Sequence, residues 1–443
     1  MFLVLILIFI LTYLTVNLYR RRAKNPDGPL PLPLIGNLHQ IAYYCWKTGG
    51  LVAAFHQFRK RHGKVFTLWM GPLPTVHIAD YEIAYETHVK RANVFGHRFS
   101  FGLTDYIREG RGIVGSNGGF WQEHRRFALK TLRDFGLGRN LMEEKIMDEY
   151  RYRIQTFSKT HGTCSGAIEV NAAGFFDILV GSVINQMLVS ERFEQGNEHF
   201  EKLKISLAKS LEEISALDMF TPLWLLKSDL WKWRTKTALA PFDFVLDLVK
   251  EGVKKRMTAI ENGTHVVSEE GDDFVDVFIL RMQKDQKEGI KDSTFTLETL
   301  AIDLYDLWLA GQETTSTTLT WACVCLLNHP EVVKKLRREL VGVTGGTRTV
   351  SLQDKSVTPY FNATINEVQR IASILNSNLF RYLEVDTVID GQPVSAGTCI
   401  LGNLIMEYDL KPVGTMPEIK SPTPFGLMKR PPVYDIRLVP VKQ

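Results

Sequence analysis

"LWLAGQETTSTTLTWACVCLL", Leu307 to Leu327, has the length and apolar content of a buried helix, yet Gly, Gln, Glu and Thr interrupt its middle. Gly311 weakens a helix interior by about 1 kcal/mol relative to Ala. The polar cluster beside it needs hydrogen-bond partners or water. At 100° per residue, Asp303, Leu307, Ala310, Gly311, Thr314, Thr318 and Trp321 fall on one face, with the smallest residues at its centre. Two readings stand side by side: a large flat object pressed against Ala310 and Gly311, with the Thr314 hydroxyl beside it, or a tight crossing with a second helix.

Around this helix the chain has an ordinary globular composition, with 45% hydrophobic and 23% charged residues among 443. That excludes a disordered scaffold. A net charge of +4 and the lack of zinc-finger or P-loop spacing argue against nucleic acid. The five cysteines, Cys45, Cys164, Cys323, Cys325 and Cys399, include no CxxC, so neither a disulfide framework nor a structural metal site is expected.

The first residues, "MFLVLILIFILTYLTVNLY", are apolar to Tyr19 and are followed by Arg20, Arg21 and Arg22. Roughly 20 such residues match a bilayer core, and the arginines hold the rest of the chain on the cytosolic side. Residues 1–22 are therefore expected to be a single transmembrane anchor, and the sequons at Asn262 and Asn362 to go unused. Residues 23–40 hold "NPDGPLPLPLIGNLHQ", a stiff Pro/Gly-rich stalk. "KVFTLWMGPLPTVHIAD" (Lys64–Asp80) reads as two strands about a Gly-Pro turn, and "DTVIDGQPV" (Asp386–Val394) as a hairpin with an Asp-Gly turn. Helical periodicity dominates from about Trp121 to Leu340. It is interrupted by "MFTPLWLLKSDLWKWR" (Met219–Arg234), either a membrane-interface segment or a buried loop. The expectation is one large domain, mainly α with a minor β-sheet, over residues 41–443.

Two further spacings bear on chemistry. In "FWQEHRRFALKTLR", Trp121 and Arg125 are four apart on a helix, so an indole N–H and a guanidinium converge as they would on a carboxylate. In "INEVQRI", Glu367 and Arg370 are three apart, an ordinary surface ion pair when taken alone.

Taken in order, "PLPLIGNLHQ", "WQEHRR", "AGQETT" and "EVQR" resemble the membrane-anchored, microsomal type of cytochrome P450 over nearly the whole chain. The resemblance implies a haem cofactor lying beneath Ala310 and Gly311, with Glu313 and Thr314 relaying protons for oxygen activation. It implies haem propionates held by Arg98, Trp121, Arg125 and Arg381, and a buried structural clamp between Glu367 and Arg370. The implied activity is insertion of one oxygen atom of O2 into a small hydrophobic substrate (xenobiotic, fatty-acid or sterol-like). Implied too are an endoplasmic reticulum membrane location and an NADPH-dependent cytochrome P450 reductase docking on basic residues such as Arg126, Lys130 and Arg133.

One element of that family is missing. The loop F-x-x-G-x-R-x-C-x-G, whose Cys ligates the iron, occurs nowhere. After "GQPVSAGTC", ending at Cys399, the chain passes to "ILGN", which resembles the end of the family's last long helix, and then to its C-terminal strands. Meander, Cys loop and most of that helix are skipped between 399 and 400. "TPFGLMKRP" (Thr423–Pro431) echoes the loop without a Cys, and Cys399 lies in what resembles a strand end, out of reach of the iron. No metal ligand is assigned. The alternative function is then a catalytically inactive, haem-poor form that only binds hydrophobic ligands or a partner.

Overall fold

A computed structural model describes residues 2–137, 140–161, 168–212, 221, 223–375, 378–402, 428, 430–431 and 435–438. The first helix, Phe2–Arg22, ends on the three arginines. The Pro/Gly segment beyond it does not stand off as a free stalk. It lies along the first strand, β1 (Val65–Met70), because its few polar groups reach the sheet. Thr67 N–H donates to Asp27 O at 3.0 Å, and Thr67 Oγ1 to Pro26 O at 2.7 Å. Asn37, fully buried, accepts from Trp69 N at 2.8 Å and donates to Leu30 O at 3.1 Å. Gly28 permits this approach, since a Cβ there would stand 2.0 Å from Thr67 O.

The strands that follow are β2 (Leu73–Ile78), β3 (Ile168–Asn171), β4 (Arg381–Tyr382), β5 (Thr387–Ile389), β6 (Gln392–Val394), β7 (Cys399–Gly402) and β8 (Asp435–Leu438). The main sheet has the order β1-β2-β7-β4, with β2 and β7 parallel and the other pairs antiparallel. β3 pairs with β8, and β5 with β6. Asp390 and Gly391, at φ 50° and 73°, make the expected two-residue turn between β5 and β6.

Helices form the larger part of the fold, and one cluster of buried side chains joins them. Ala172–Val189, long and apolar enough to cross a bilayer, is instead mostly buried inside the protein. Phe175 and Ile178 of that helix share the cluster with Val245 of Lys232–Glu261, Phe274 and Phe278 of Phe274–Lys287, and Leu300 and Leu304 of Leu297–Trp308. The mainly helical, single-domain architecture agrees with the expectation from sequence.

The stretch from Leu297 to Asn328 is not one regular helix. A π-helical turn, Leu309–Glu313, joins Leu297–Trp308 to Thr314–Asn328. The extra residue of such a turn shifts the angular register. The single face drawn at 100° per residue is therefore broken: Asp303 and Trp321 are buried while Ala310 is exposed.

Candidate functional site

Ala310 is exposed, and the next residue faces a neighbouring helix. A Cβ on Gly311 would come 2.9 Å from Ile184 Cδ1, so the glycine serves a close helix crossing. Of the two readings of the small residues, the crossing accounts for Gly311, while Ala310 is exposed. Below them Gln312 and Glu313 are buried. Thr314 Oγ1 donates to Ala310 O at 2.5 Å across the π turn, a back-bond that bends helices. Arg430 donates to Glu313 Oε2 at 3.2 Å, and Thr317 Oγ1 lies 3.7 Å from Met428 Sδ. The C-terminal stretch thus reaches the same turn that carries Ala310 and Thr314.

A second set of residues is a cluster of positive charge. Arg98 and Arg381 face each other across an isolated antiparallel bridge. Asn117 locks the backbone of Arg98 from both sides, accepting from its N–H at 2.7 Å and donating to its carbonyl at 3.0 Å. Arg381 Nη1 donates to Gly96 O at 3.0 Å. Arg98 Nη1 and Arg381 Nε are buried with no hydrogen-bond partner. Burial foremost, then the like charges of Arg381 and Arg125, pushes the Arg98 guanidinium down to about 10. His88 joins the cluster. Its Nδ1 lies 3.2 Å from Ala84 O and its Nε2 is buried without a partner. Burial, then Arg381 and Arg98, lowers its proton affinity. Two half-buried guanidiniums, with the exposed Arg125 adding its charge, suit a ligand bearing more than one anionic group.

Trp121 does not share that task. Its indole N–H donates to Ile113 O at 3.1 Å, and the Arg125 guanidinium stacks over its ring at 5.3 Å. The i,i+4 spacing puts both on one side of Gly118–Asp134, but a carbonyl eight residues upstream takes the donor meant for a carboxylate. Arg126, Lys130 and Arg133 are exposed on the same helix.

Glu367 and Arg370 form the two-pronged pair, at 2.7 and 2.5 Å, but not a buried one: their side chains are 53% and 23% exposed. The inward stripe of Pro359–Ala372 is Val368 and Ala372, which turns the pair toward solvent. Cys399 opens β7, paired with Thr75 on one side and Tyr382 on the other, and is fully buried. Burial raises its thiol far above the ordinary range. Ile400 to Gly402 complete this strand, so the start of "ILGN" is strand rather than helix end. "TPFGLMKRP" falls mostly outside the described residues.

Sequence reading missed a buried acid–base layer on the N-terminal half of the central helix. His124 Nδ1 lies 3.0 Å from Asp303 Oδ2, and Arg108 holds Asp306 at 2.6 Å. Burial pushes Asp303 up to about 6 despite His124. It also missed Asn117 and His88. The Asn-Gly-Gly helix start was the available signal for Asn117; nothing in the sequence marks His88.

Residues 26–409 match the family model described as Cytochrome P450. A Caenorhabditis elegans protein named probable cytochrome P450 cyp-35D1 is 37% identical over 447 residues, covering 97% of this chain and 89% of its own. Cytochrome P450 2C4 of Oryctolagus cuniculus is 31% identical over 385 residues (86% and 74%), and cytochrome P450 2H2 of Gallus gallus 32% over 375 (83% and 71%). A match that spans the π turn, the guanidinium cluster and the main sheet leaves one conclusion: the chain belongs to the cytochrome P450 family.

Proposed function

We propose that this chain is a membrane-anchored family member that binds small hydrophobic molecules and the anionic edge of haem, but does not carry out the family's oxygen insertion. Cytochrome P450 proteins are haem monooxygenases. When bound, haem supplies the iron at which O2 is activated, and a Cys thiolate ligand favours O–O cleavage. The residues here fit one part of that group and not the other. Arg98, Arg381 and Arg125, with buried donors unused on the first two, suit the propionates. Among the described cysteines none is placed as an iron ligand would need to be. Cys399 is locked in the middle of a sheet, Cys45 is buried beneath β1, and Cys323 and Cys325 lie a helix turn or more beyond Thr314; Cys164 lies outside the described residues. The position of Cys399 is the observation that carries this reading, and no step is derived through the haem.

The membrane part rests on Phe2–Arg22, whose 21 residues extend roughly 30 Å at 1.5 Å each, enough for a bilayer core. Trp224, Leu230 and Trp233 are exposed on the main domain and suit a membrane interface. An endoplasmic reticulum location with the domain in the cytosol is the part of this reading supported by the likeness to microsomal relatives. The exposed Arg126, Lys130 and Arg133 suit an acidic redox partner, the reductase of the family.

A second reading, monooxygenation of a xenobiotic, fatty-acid or sterol-like substrate, is favoured by the buried Glu313 beside Thr314 at the π turn. The carbon-monoxide difference spectrum of the reduced, haem-reconstituted protein separates the two. The proposal expects haem uptake without a strongly red-shifted thiolate band. A thiolate band that vanishes in Cys399→Ser overturns it and restores the second reading.

A further inference from the structure

Charge is spread unevenly along the chain. Of the 53 Lys and Arg, nine lie between Arg20 and Lys64, with only one of the 49 Asp and Glu, Asp27. That leaves 44 bases against 48 acids in the rest of the chain, so this segment accounts for the whole positive balance. Asp27 is taken by Arg22 at 2.6 Å, and Lys64 is matched by Asp80 at 2.7 Å. A basic run that follows an apolar helix is drawn to anionic lipid headgroups. Charge alone gives a diffuse attraction; a particular headgroup needs a place to fit.

Such a place lies between helix Leu38–Thr48, helix Leu51–His62 and the Pro/Gly segment, where a cavity of about 400 Å³ opens. Pro29, Tyr43, Tyr44 and Phe58 form its walls, and His39, Gln40, Arg61 and His62 bring polar groups to it. Among the described residues no carboxylate lines it. The Arg61 guanidinium lies over the Tyr44 ring at 5.1 Å and donates one N–H to the Tyr44 hydroxyl oxygen. Because that oxygen accepts from Arg61, the Tyr44 proton is left to be donated elsewhere. Arg61 is exposed and has no carboxylate partner among the described residues. A guanidinium and a hydroxyl side by side, with no acid near them, suit a phosphate.

The cavity also stands beside the end of the first helix. Arg22, the last residue of Phe2–Arg22, donates to Gly28 O at 3.0 Å, next to Pro29 on the cavity wall. Its charge reaches His62, whose proton affinity is lowered by burial first, raised by Asp27, and lowered again by Arg61 and Arg22. Leu30, Leu34, Tyr43 and Trp46 are exposed on the same two elements, the apolar and aromatic mixture suited to headgroup depth.

Resting on the membrane anchor of the proposed function, we propose that this cavity binds the headgroup of one anionic phospholipid of the bilayer that the anchor enters. Arg61 and the Tyr44 hydroxyl donate to its phosphate oxygens, and its glycerol lies against Pro29 and Tyr43. The volume suits a headgroup with its glycerol, the acyl chains remaining in the bilayer.

The test is native mass spectrometry of the full chain released from neutral detergent micelles. The probes are phosphatidylserine and phosphatidylcholine with the same acyl chains. One phosphatidylserine should be retained at a concentration about tenfold below that needed for phosphatidylcholine. Arg61→Gln should abolish this preference. Lys60→Gln removes the same charge one residue away and outside the cavity, and should keep it. No preference in the native chain, or equal losses in the two variants, overturns the proposal in favour of diffuse attraction. Displacement of the lipid by glycerol 3-phosphate at equal concentration also overturns it, since the occupant is then a soluble phosphate. Flotation with vesicles of phosphatidylcholine alone reads the anchor separately. A chain that floats with them yet shows no preference for phosphatidylserine loses the headgroup site and keeps the anchor; one that does not float loses the anchor, and the bilayer as the source of the lipid with it.

Discussion

Arg98 and Arg381 sit opposite one another on an antiparallel bridge, two guanidiniums paired by backbone and with no ion pair to either among the described residues. Such an arrangement raises the energy of the protein alone and lowers it once an anion arrives. Arg98→Ala is therefore expected to leave the stability of the haem-free protein unchanged or improve it by up to about 1 kcal/mol. The same variant should weaken haemin binding about ten- to a hundredfold, the worth of a charge-assisted contact. Thermal melting and a haemin absorbance titration measure the two. A variant that melts much lower yet binds haemin as before would mark Arg98 as structural.

The pair Glu367–Arg370 leads to a milder expectation than a buried clamp would. Held at 2.5 and 2.7 Å but open to solvent, it contributes no more than an ordinary surface bridge. Glu367→Ala should shift stability by no more than about 1 kcal/mol. A loss of 3 kcal/mol or more, the size expected when a buried charge is stranded, would contradict the surface placement.

Asp303 gives a pH signature. Burial raises its carboxyl from the ordinary 3.8 to about 6 in the folded protein, against the opposing pull of His124. Between those values the folded state binds more proton than the unfolded state, so this residue's contribution to stability falls as pH rises toward and through about 6. Below about 3.8 both states are protonated and that contribution is fully present. Asp303→Asn removes this dependence. Relative to wild type, the variant should gain up to about 3 kcal/mol between pH 4 and pH 7. Denaturant melts at several pH values read the difference, and a gap between variant and wild type that does not change with pH would refute the assignment.

These cases show where sequence was readable. Local signals carried through: the Asp390-Gly391 turn needs two left-handed residues and has them, at φ 50° and 73°. Helical spacing correctly put Trp121 beside Arg125 and Glu367 beside Arg370. What spacing did not show was set by loops, packing and helix irregularity. Ile113 claims the Trp121 donor through a loop whose path no spacing reveals. The burial of Glu367 depends on which face of its helix turns inward, and that face is Val368 and Ala372, the latter packed with Trp321. Ile184, more than a hundred residues before Gly311, gives that glycine its reason. The π turn was not legible either, because it offsets the face by a residue that periodicity does not count.

Cys399 offers a chemical test of its place in the sheet. A fully buried thiol whose ionisation burial suppresses is a poor nucleophile. In the native protein, iodoacetamide should modify Cys399 only as fast as the sheet opens, and mass spectrometry should find it alkylated freely after denaturation. Rapid native labelling would place the thiol outside β7 and reopen its candidacy as an iron ligand.

The crossing at Gly311 can be tested by enlarging one side and trimming the other. Gly311→Ala sets two effects against each other. Helix propensity gains about 1 kcal/mol, while the new methyl approaches Ile184 Cδ1 to 2.9 Å, the mobile end of a side chain that can yield. A net change within about 1 kcal/mol is expected. Gly311→Val adds bulk that Ile184 cannot avoid and should cost about 1–3 kcal/mol, as overpacking does. Ile184→Ala alone should also destabilise, by leaving a cavity. Combined with Gly311→Val, it should lose less than the sum, because the valine fills the space the isoleucine leaves. A double-mutant cycle by denaturant unfolding reads that coupling at 0.5 kcal/mol or more, the range for residues in contact. Strict additivity would mean that the two side chains do not meet, and the small residue at 311 would then have to be explained by a ligand beside Ala310 after all.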